Sequence, residues 1–269
     1  MTVLVLLDID GTLLNEHYHL TSKEIYSTIE DLQRKGVVFC LNSNRSKEDL
    51  IPIYDHFKLN GCMIGENGAF SILDGKEHLY ADQAPVLKLK QILPERLTAE
   101  VPGSVFLFED TVNFLKHDFR ASAQVVLLAN KFRKYTMSIH VRRNQDGHLA
   151  KDLDLTQQIA DYIKGIIEEQ DLSLRVAVSQ AFGNVLVFPT TCDKGTTFAK
   201  VRDEFYNQAT TCMISDDWAD EPLINQVDHF YAVANAEDVV KAKAEKVATK
   251  PYTQGVVEIL LNQVGPLVS

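Results

Sequence analysis

Val3-Leu4-Val5-Leu6-Leu7-Asp8-Ile9-Asp10-Gly11-Thr12-Leu13-Leu14 decides how the rest of this chain is read. The unbroken apolar run at 3–7 predicts a strand buried on both faces, as in a parallel sheet. It ends in two carboxylates, Asp8 and Asp10. Positions i and i+2 of a strand share a face, so both acids lean toward one point at the strand's carboxyl end. Gly11 lets the backbone turn sharply there. Open α/β sheets take their ligands at that edge. Two acids so close repel, and a cation or a proton relieves them. Spacing alone leaves a second reading open, a strand end carrying two solvated acids.

Outward from this stretch the chain keeps an α/β rhythm. Thr21-x-x-Glu24 has the form of a capping box, and Ile25, Ile29 and Leu32 follow at helical spacing up to Gly36. The run at 37–41 predicts a second buried strand, which leads into Ser43-Asn44-Arg45. Ser46 is placed to cap the next helix, with Asp49 behind it. A short third strand at 62–64 leads into Glu66-Asn67-Gly68-Ala69. Residues 70–80, with Asp74-Gly75 at the middle, predict a hairpin closed by a type I′ turn. Strand, helix, strand, helix, strand at this spacing implies right-handed βαβ units.

The rhythm changes after Asp82. Helical patterns at 85–100, 120–133 and 152–170 alternate with strands at 105–109, 112–115, 135–141, 174–178 and 185–188. That order suits an antiparallel sheet with helices on one face. The core rhythm returns after Pro189, with helices expected at 196–205, 220–227, 236–247 and 255–263, and strands at 211–214 and 230–234. The expected fold class is therefore α/β: a Rossmann-like, mostly parallel sheet core, residues 1–82 plus 185–269, with an inserted α+β cap domain at 83–184.

Composition narrows the function. Lys plus Arg number 27 against 37 Asp plus Glu, a formal charge of −10. That balance argues against nucleic acid and against an anionic membrane surface as partners. No apolar run approaches a membrane span, and no basic segment followed by a long apolar one marks a signal peptide. The four cysteines, Cys40, Cys62, Cys192 and Cys212, form no Cys-x-x-Cys pair. Zinc is not expected, and reduced thiols with a cytoplasmic location are the default.

Three later segments carry chemistry. Ser43-Asn44-Arg45 offers a hydroxyl and backbone N–H groups at a helix start, an anion cradle in form but by itself more often a helix cap. Lys194 opens a helix, where the dipole opposes its charge unless an anion or carboxylates are near. Ser215-Asp216-Asp217-Trp218-Ala219-Asp220 puts three acids at a strand end. Burying them is unfavourable for folding unless they are hydrated or metal-bound.

Asp8-x-Asp10-Gly11-Thr12, Ser43, the Lys194 segment and the Asp216 segment, in this order, resemble the four motifs of the haloacid-dehalogenase-like (HAD) phosphatases. The segment from Phe188 to Thr197 is similar to the Cof-like subclass, whose members carry an α/β cap of the C2B type. Glu66-Asn67-Gly68-Ala69 and Val233-Ala234-Asn235-Ala236 are further matches. The resemblance implies a Mg²⁺-dependent phosphatase. In that reading Asp8 is the nucleophile and Asp10 the general acid and base. Ser43, Asn44 and Lys194 hold the phosphoryl group. Asp8, Asp10 (by its backbone carbonyl) and Asp216 hold the metal, supported by Asp220 and Asp217. The implied substrate is a small phosphorylated metabolite, foremost a sugar phosphate. A phosphomutase with the same intermediate, or a catalytically impaired protein that only binds a phosphorylated ligand, are the alternatives.

Three positions depart from the family pattern. Asn44 and Ser215 stand where glycine is usual, and Ala219 replaces an asparagine. The last change removes an amide that supports the site, and whether Asp217 takes its place is not legible in the sequence. Arg142, Arg143, His140 and Arg175 of the insertion could face a ligand, although surface placement is the default for each.

Overall fold

The computed structural model describes residues 2–119, 122–180 and 182–268. The chain divides into two compact units, Met1–Tyr80 with Cys192–Ser269, and Ala81–Thr191. Residues 185–189, expected in the core, belong to Asn184–Pro189, a strand of the second unit's own sheet.

Val3–Leu7 is completely buried and central, hydrogen-bonded in parallel to Val37–Asn42 on one side and Thr210–Ser215 on the other. His229–Ala232 and the short Lys246–Val247 extend the sheet beyond Thr210–Ser215. Met63–Gly65 extends it beyond Val37–Asn42, also in parallel. The antiparallel pair Phe70–Leu73 and Lys76–Leu79 completes eight strands. Setting that pair aside, the order runs outward in both directions from Val3–Leu7 and Thr210–Ser215, the doubly wound arrangement whose ligand crevice opens where the strand order reverses. Helices Glu24–Arg34 and Lys47–Phe57 make crossovers, and Lys194–Phe205 leads into Thr210–Ser215.

Local chemistry matches in places and differs in others. Ser46 caps Lys47–Phe57 by accepting from the Asp49 N–H. Asp74 and Gly75 have φ of 49° and 73°, as a type I′ turn requires. Thr21 makes no capping box, since Glu24–Arg34 has no side-chain cap. The Thr21 N–H donates to Thr253 Oγ1 instead. The helix expected at 236–247 is only Asp238–Lys241, and that expected at 220–227 shortens to Glu221–Ile224.

The second unit holds a six-stranded sheet backed by helices Ala84–Glu100 and Leu153–Glu169. Its core joins Leu89, Leu93 and Leu97 to Ile159, Ile163 and Ile166 and to alternate residues of the strands, such as Leu127, Ile139 and Val187. Two expectations fail here. Of the helix expected at 120–133, residues 120 and 121 lie outside the described residues and 122–133 are not helical: Val125–Asn130 is a buried strand, where a β-branched apolar run fits better than in a helix. Residues 112–115 are not a strand: Thr111–Phe114 is a helical turn capped by Asp110, which accepts from the Asn113 N–H. Ser104–Glu109 consequently pairs in parallel with Val125–Asn130, and the remaining strands pair antiparallel. His140 and Arg142 are buried, against the default. Arg142 lends its guanidinium to the carbonyls of Phe182 and Gly183 and to His140 Nδ1. Arg143 pairs with Asp152, and Arg175 lies over the Phe188 ring.

Candidate active site

Three parallel strands end side by side. Val3–Leu7 delivers Asp8, Val37–Asn42 delivers Ser43, and Thr210–Ser215 delivers Asp216. Gly11, at φ +89°, turns the chain beyond Asp10. A Cβ at that glycine would lie 2.0 Å from Asp216 Oδ2, so the Asp216 carboxylate rests directly on the loop that carries Asp8 and Asp10. Thr12 Oγ1 donates to Asp216 Oδ1 at 2.7 Å and fixes its rotation. Asn235 Nδ2 donates to the Gly11 carbonyl from behind at 2.7 Å, while its Oδ1 accepts from the Tyr252 N–H.

Lys194 is the first residue of helix Lys194–Phe205, whose N-cap Asp193 forms a reciprocal capping box with Thr196. Its buried ammonium donates to Asp8 Oδ1 at 3.2 Å and to Asp220 Oδ1 at 2.5 Å. Asp220 Oδ2 in turn accepts from Ser215 Oγ at 2.5 Å. Arg45 grips Asp10 with two parallel bonds, Nε to Oδ2 at 2.9 Å and Nη2 to Oδ1 at 2.5 Å. Ser43 Oγ accepts from the Arg45 N–H.

The expected residues Asp8, Asp10, Ser43, Lys194, Asp216 and Asp220 thus share one strand-end region. Asp217 stands apart from the ion pairs and caps a turn, accepting from the Ala219 N–H at 3.0 Å. Asn44 is half-buried, and its amide oxygen is without a hydrogen-bond partner among the described residues, as are both amide atoms of fully buried Asn42 and the Asn67 nitrogen. Such orphaned groups call for a ligand or water. Arg45, Thr12 and Ser215 are contributors whose contacts the sequence did not reveal. Arg45 is the last residue of the cradle segment, just before the Ser46 cap of helix Lys47–Phe57, and that position was the available signal.

Electrostatics here favour an added cation. Burial lifts the Asp8 carboxyl well above the ordinary range, Lys194 pulls the other way, and Asp220, Asp216 and Asp10 raise it further. Asp216 is pushed up to about 7, first by burial, then by Asp217, Asp220 and Asp10, against the Thr12 hydrogen bond. Burial likewise raises Asp220. Burial works against the charge on Lys194, but Asp220 and Asp8 outweigh it and keep the ammonium protonated. Among the described residues, no three His, Cys, Asp or Glu side chains are grouped to hold a metal by themselves. The fit is to a cation needing fewer protein ligands. Two carboxylates, Asp8 and Asp216, a backbone carbonyl and water make the hard-oxygen set that suits Mg²⁺.

A doubly wound sheet with carboxylates and a lysine at its switch point defines a class of α/β enzymes, and comparison with known proteins narrows it. A family described as haloacid dehalogenase-like hydrolase matches residues 5–260, and the chain belongs to that family. It is 25% identical over 263 residues to a phosphoglycolate phosphatase of Staphylothermus marinus, covering 97% of each. Among solved structures, it resembles a haloacid dehalogenase-like hydrolase from Bacteroides thetaiotaomicron, with TM-score 0.70, 17% identity and coverage of 97% and 99%. One from B. subtilis gives TM-score 0.67, 17% identity and the same coverage. No helix of the described residues is long and apolar enough to cross a membrane.

Proposed function

We propose that the protein is a Mg²⁺-dependent phosphomonoester hydrolase that works through an aspartyl-phosphate at Asp8. The observation that supports this most is the Lys194 ammonium held between Asp8 and Asp220, with Asp216 resting against the Gly11 loop. In this reading Asp8 is the nucleophile, Lys194 a fixed cation and Asp216 a further carboxylate at one strand-end edge.

The Asp8 carboxylate attacks phosphorus and the ester oxygen leaves, splitting one hard displacement into two easier ones. Asp10 protonates the leaving oxygen, then removes a proton from the water that attacks the aspartyl-phosphate, and Asp8 and inorganic phosphate are released. Both Asp10 oxygens accept from Arg45. To act as the acid, Asp10 must first take up a proton from solvent, which opens one of those two bonds; it gives that proton to the leaving oxygen and regains one from the attacking water. Lys194, the Ser43 hydroxyl and the Asn44 amide hold phosphoryl oxygens where negative charge builds. Asp8, Asp216 and the Asp10 carbonyl would hold Mg²⁺, which when bound supplies positive charge between the anionic nucleophile and the anionic phosphate.

The substrate in this reading is a small phosphorylated metabolite rather than nucleic acid or a membrane lipid, in keeping with a formal charge of −10. A sugar phosphate is the first candidate, and the relationship to a phosphoglycolate phosphatase adds phosphoglycolate as the second. The test is turnover of both classes with Mg²⁺ and with EDTA, in the wild type and in Asp8→Asn. The reading expects phosphate release that needs Mg²⁺ and vanishes in Asp8→Asn. Full activity in either EDTA or the variant sinks it. Release of phosphate without a sugar bisphosphate activator separates it from a phosphomutase.

A further inference from the structure

Ser215 and Ala219 are the two positions of this segment that depart from the motif the sequence resembles. Asp217 Oδ1 is engaged by the Ala219 N–H, a local turn contact. The hydroxyl at 215 reaches the site. Ser215 is fully buried at the end of its strand and donates to Asp220 Oδ2, while the other oxygen of Asp220 receives the Lys194 ammonium. The Asp217 N–H donates to Ser215 Oγ at 3.3 Å, which leaves the hydroxyl proton directed at Asp220.

We propose that Ser215 is a positioning residue for phosphoryl binding: by occupying one oxygen of Asp220 it limits that carboxylate's hold on Lys194 and keeps the ammonium within reach of Asp8 and its phosphoryl oxygens. The proposal rests on the functional reading above. Lys194 is shared unequally, 2.5 Å from Asp220 and 3.2 Å from Asp8. Without the hydroxyl, a buried carboxylate oxygen lacks a donor, and buried acceptors without donors are strongly disfavoured. The Lys194 ammonium, already bonded to the other oxygen of the same carboxylate, is a donor at hand. Asp220 turns to offer it both oxygens, and the ammonium moves away from Asp8. A glycine at 215 offers no such hydroxyl, so the serine adds a contact that the usual family residue lacks.

The experiment measures the dissociation constant of inorganic phosphate by calorimetry in the presence of Mg²⁺, with steady-state kinetics and melting temperature alongside. The proteins are wild type, Ser215→Ala and Lys194→Met. Ser215→Ala removes one oxygen atom and leaves the packing otherwise intact. The expected result is phosphate binding weakened about tenfold in Ser215→Ala, the scale of one hydrogen bond to a charged group, with KM raised. Lys194→Met should bind more weakly still. A purely structural serine would lower the melting temperature and leave phosphate affinity and KM unchanged. That outcome overturns the proposal. If Lys194→Met binds phosphate as well as the wild type, the phosphatase reading itself has failed, whatever Ser215 does.

Discussion

At the residue scale, Gly11 and Arg45 are the positions where one atom more or less matters most. Any side chain at Gly11 would be strained at φ +89° and would strike the Asp216 carboxylate. Gly11→Ala is therefore expected to displace Asp216, raising the Mg²⁺ concentration for half-maximal activity by at least ~10-fold, as loss of a supporting contact does at metal sites. Activity titrations against Mg²⁺ measure this directly. Arg45 uses a planar fork that lysine lacks. Arg45→Lys keeps the charge but frees one Asp10 oxygen, so the expected effect is a fall in kcat of about tenfold, in line with the loss of one charge-assisted bond, and little change in KM. An unchanged kcat would show that the orientation of Asp10 does not depend on the pair. The roles of Asp8 and Lys194 were suggested by letters at fixed places in a motif. The Arg45 pair and the Ser215 contact were not, because each joins residues distant in sequence or faces a partner chosen only by the folded chain.

At the element scale, the helix Lys194–Phe205 places the lysine by its cap rather than by its length. Asp193 accepts from the Thr196 N–H at 2.8 Å, and Thr196 Oγ1 accepts from the Asp193 N–H. Close behind, Gly68 at φ +89° leaves room for the Asp193 carbonyl, which a Cβ would meet at 2.2 Å. Asp193→Ala is expected to lower stability by about 1 kcal/mol and to raise KM, since the residue beside it carries the ammonium. Urea denaturation and kinetics on one preparation check both. The parallel strands were legible in the sequence because each is a short apolar run ending at a polar cluster; their order in the sheet was not. Val125–Asn130 was misread as helix because a run buried on both faces shows no period of two. Thr111–Phe114 was misread as strand because the Asp110 cap outweighs the preferences of Val112 and Phe114.

At the scale of the whole molecule, Ala81–Thr191 is continuous in sequence and its core draws on residues within that range. Residues 81–191 expressed alone are expected to melt cooperatively. Acid should weaken that unit through His140, which burial first, and then Arg142, Arg133 and Lys151, hold down to about 3. Below its unfolded value of about 6.5 the unfolded chain takes up a proton that the folded chain refuses, so stability falls as pH drops from there toward 3. The slope from this one group is at most ~1.4 kcal/mol per pH unit. Urea unfolding across that range should be flatter in His140→Gln than in the wild type. The other unit is discontinuous, and this matters while the chain is being made. Val3–Leu7 gains one neighbour at residues 37–42 but waits for the other until residues 210–215. Throughout that interval a strand that is completely buried in the folded protein presents an open edge, and Asp8 at its tip lacks Asp216 and Asp220. Nascent or truncated chains that stop short of residue 210 should therefore be clients for chaperones and prone to aggregate, and are expected to release no phosphate in the turnover assay proposed above.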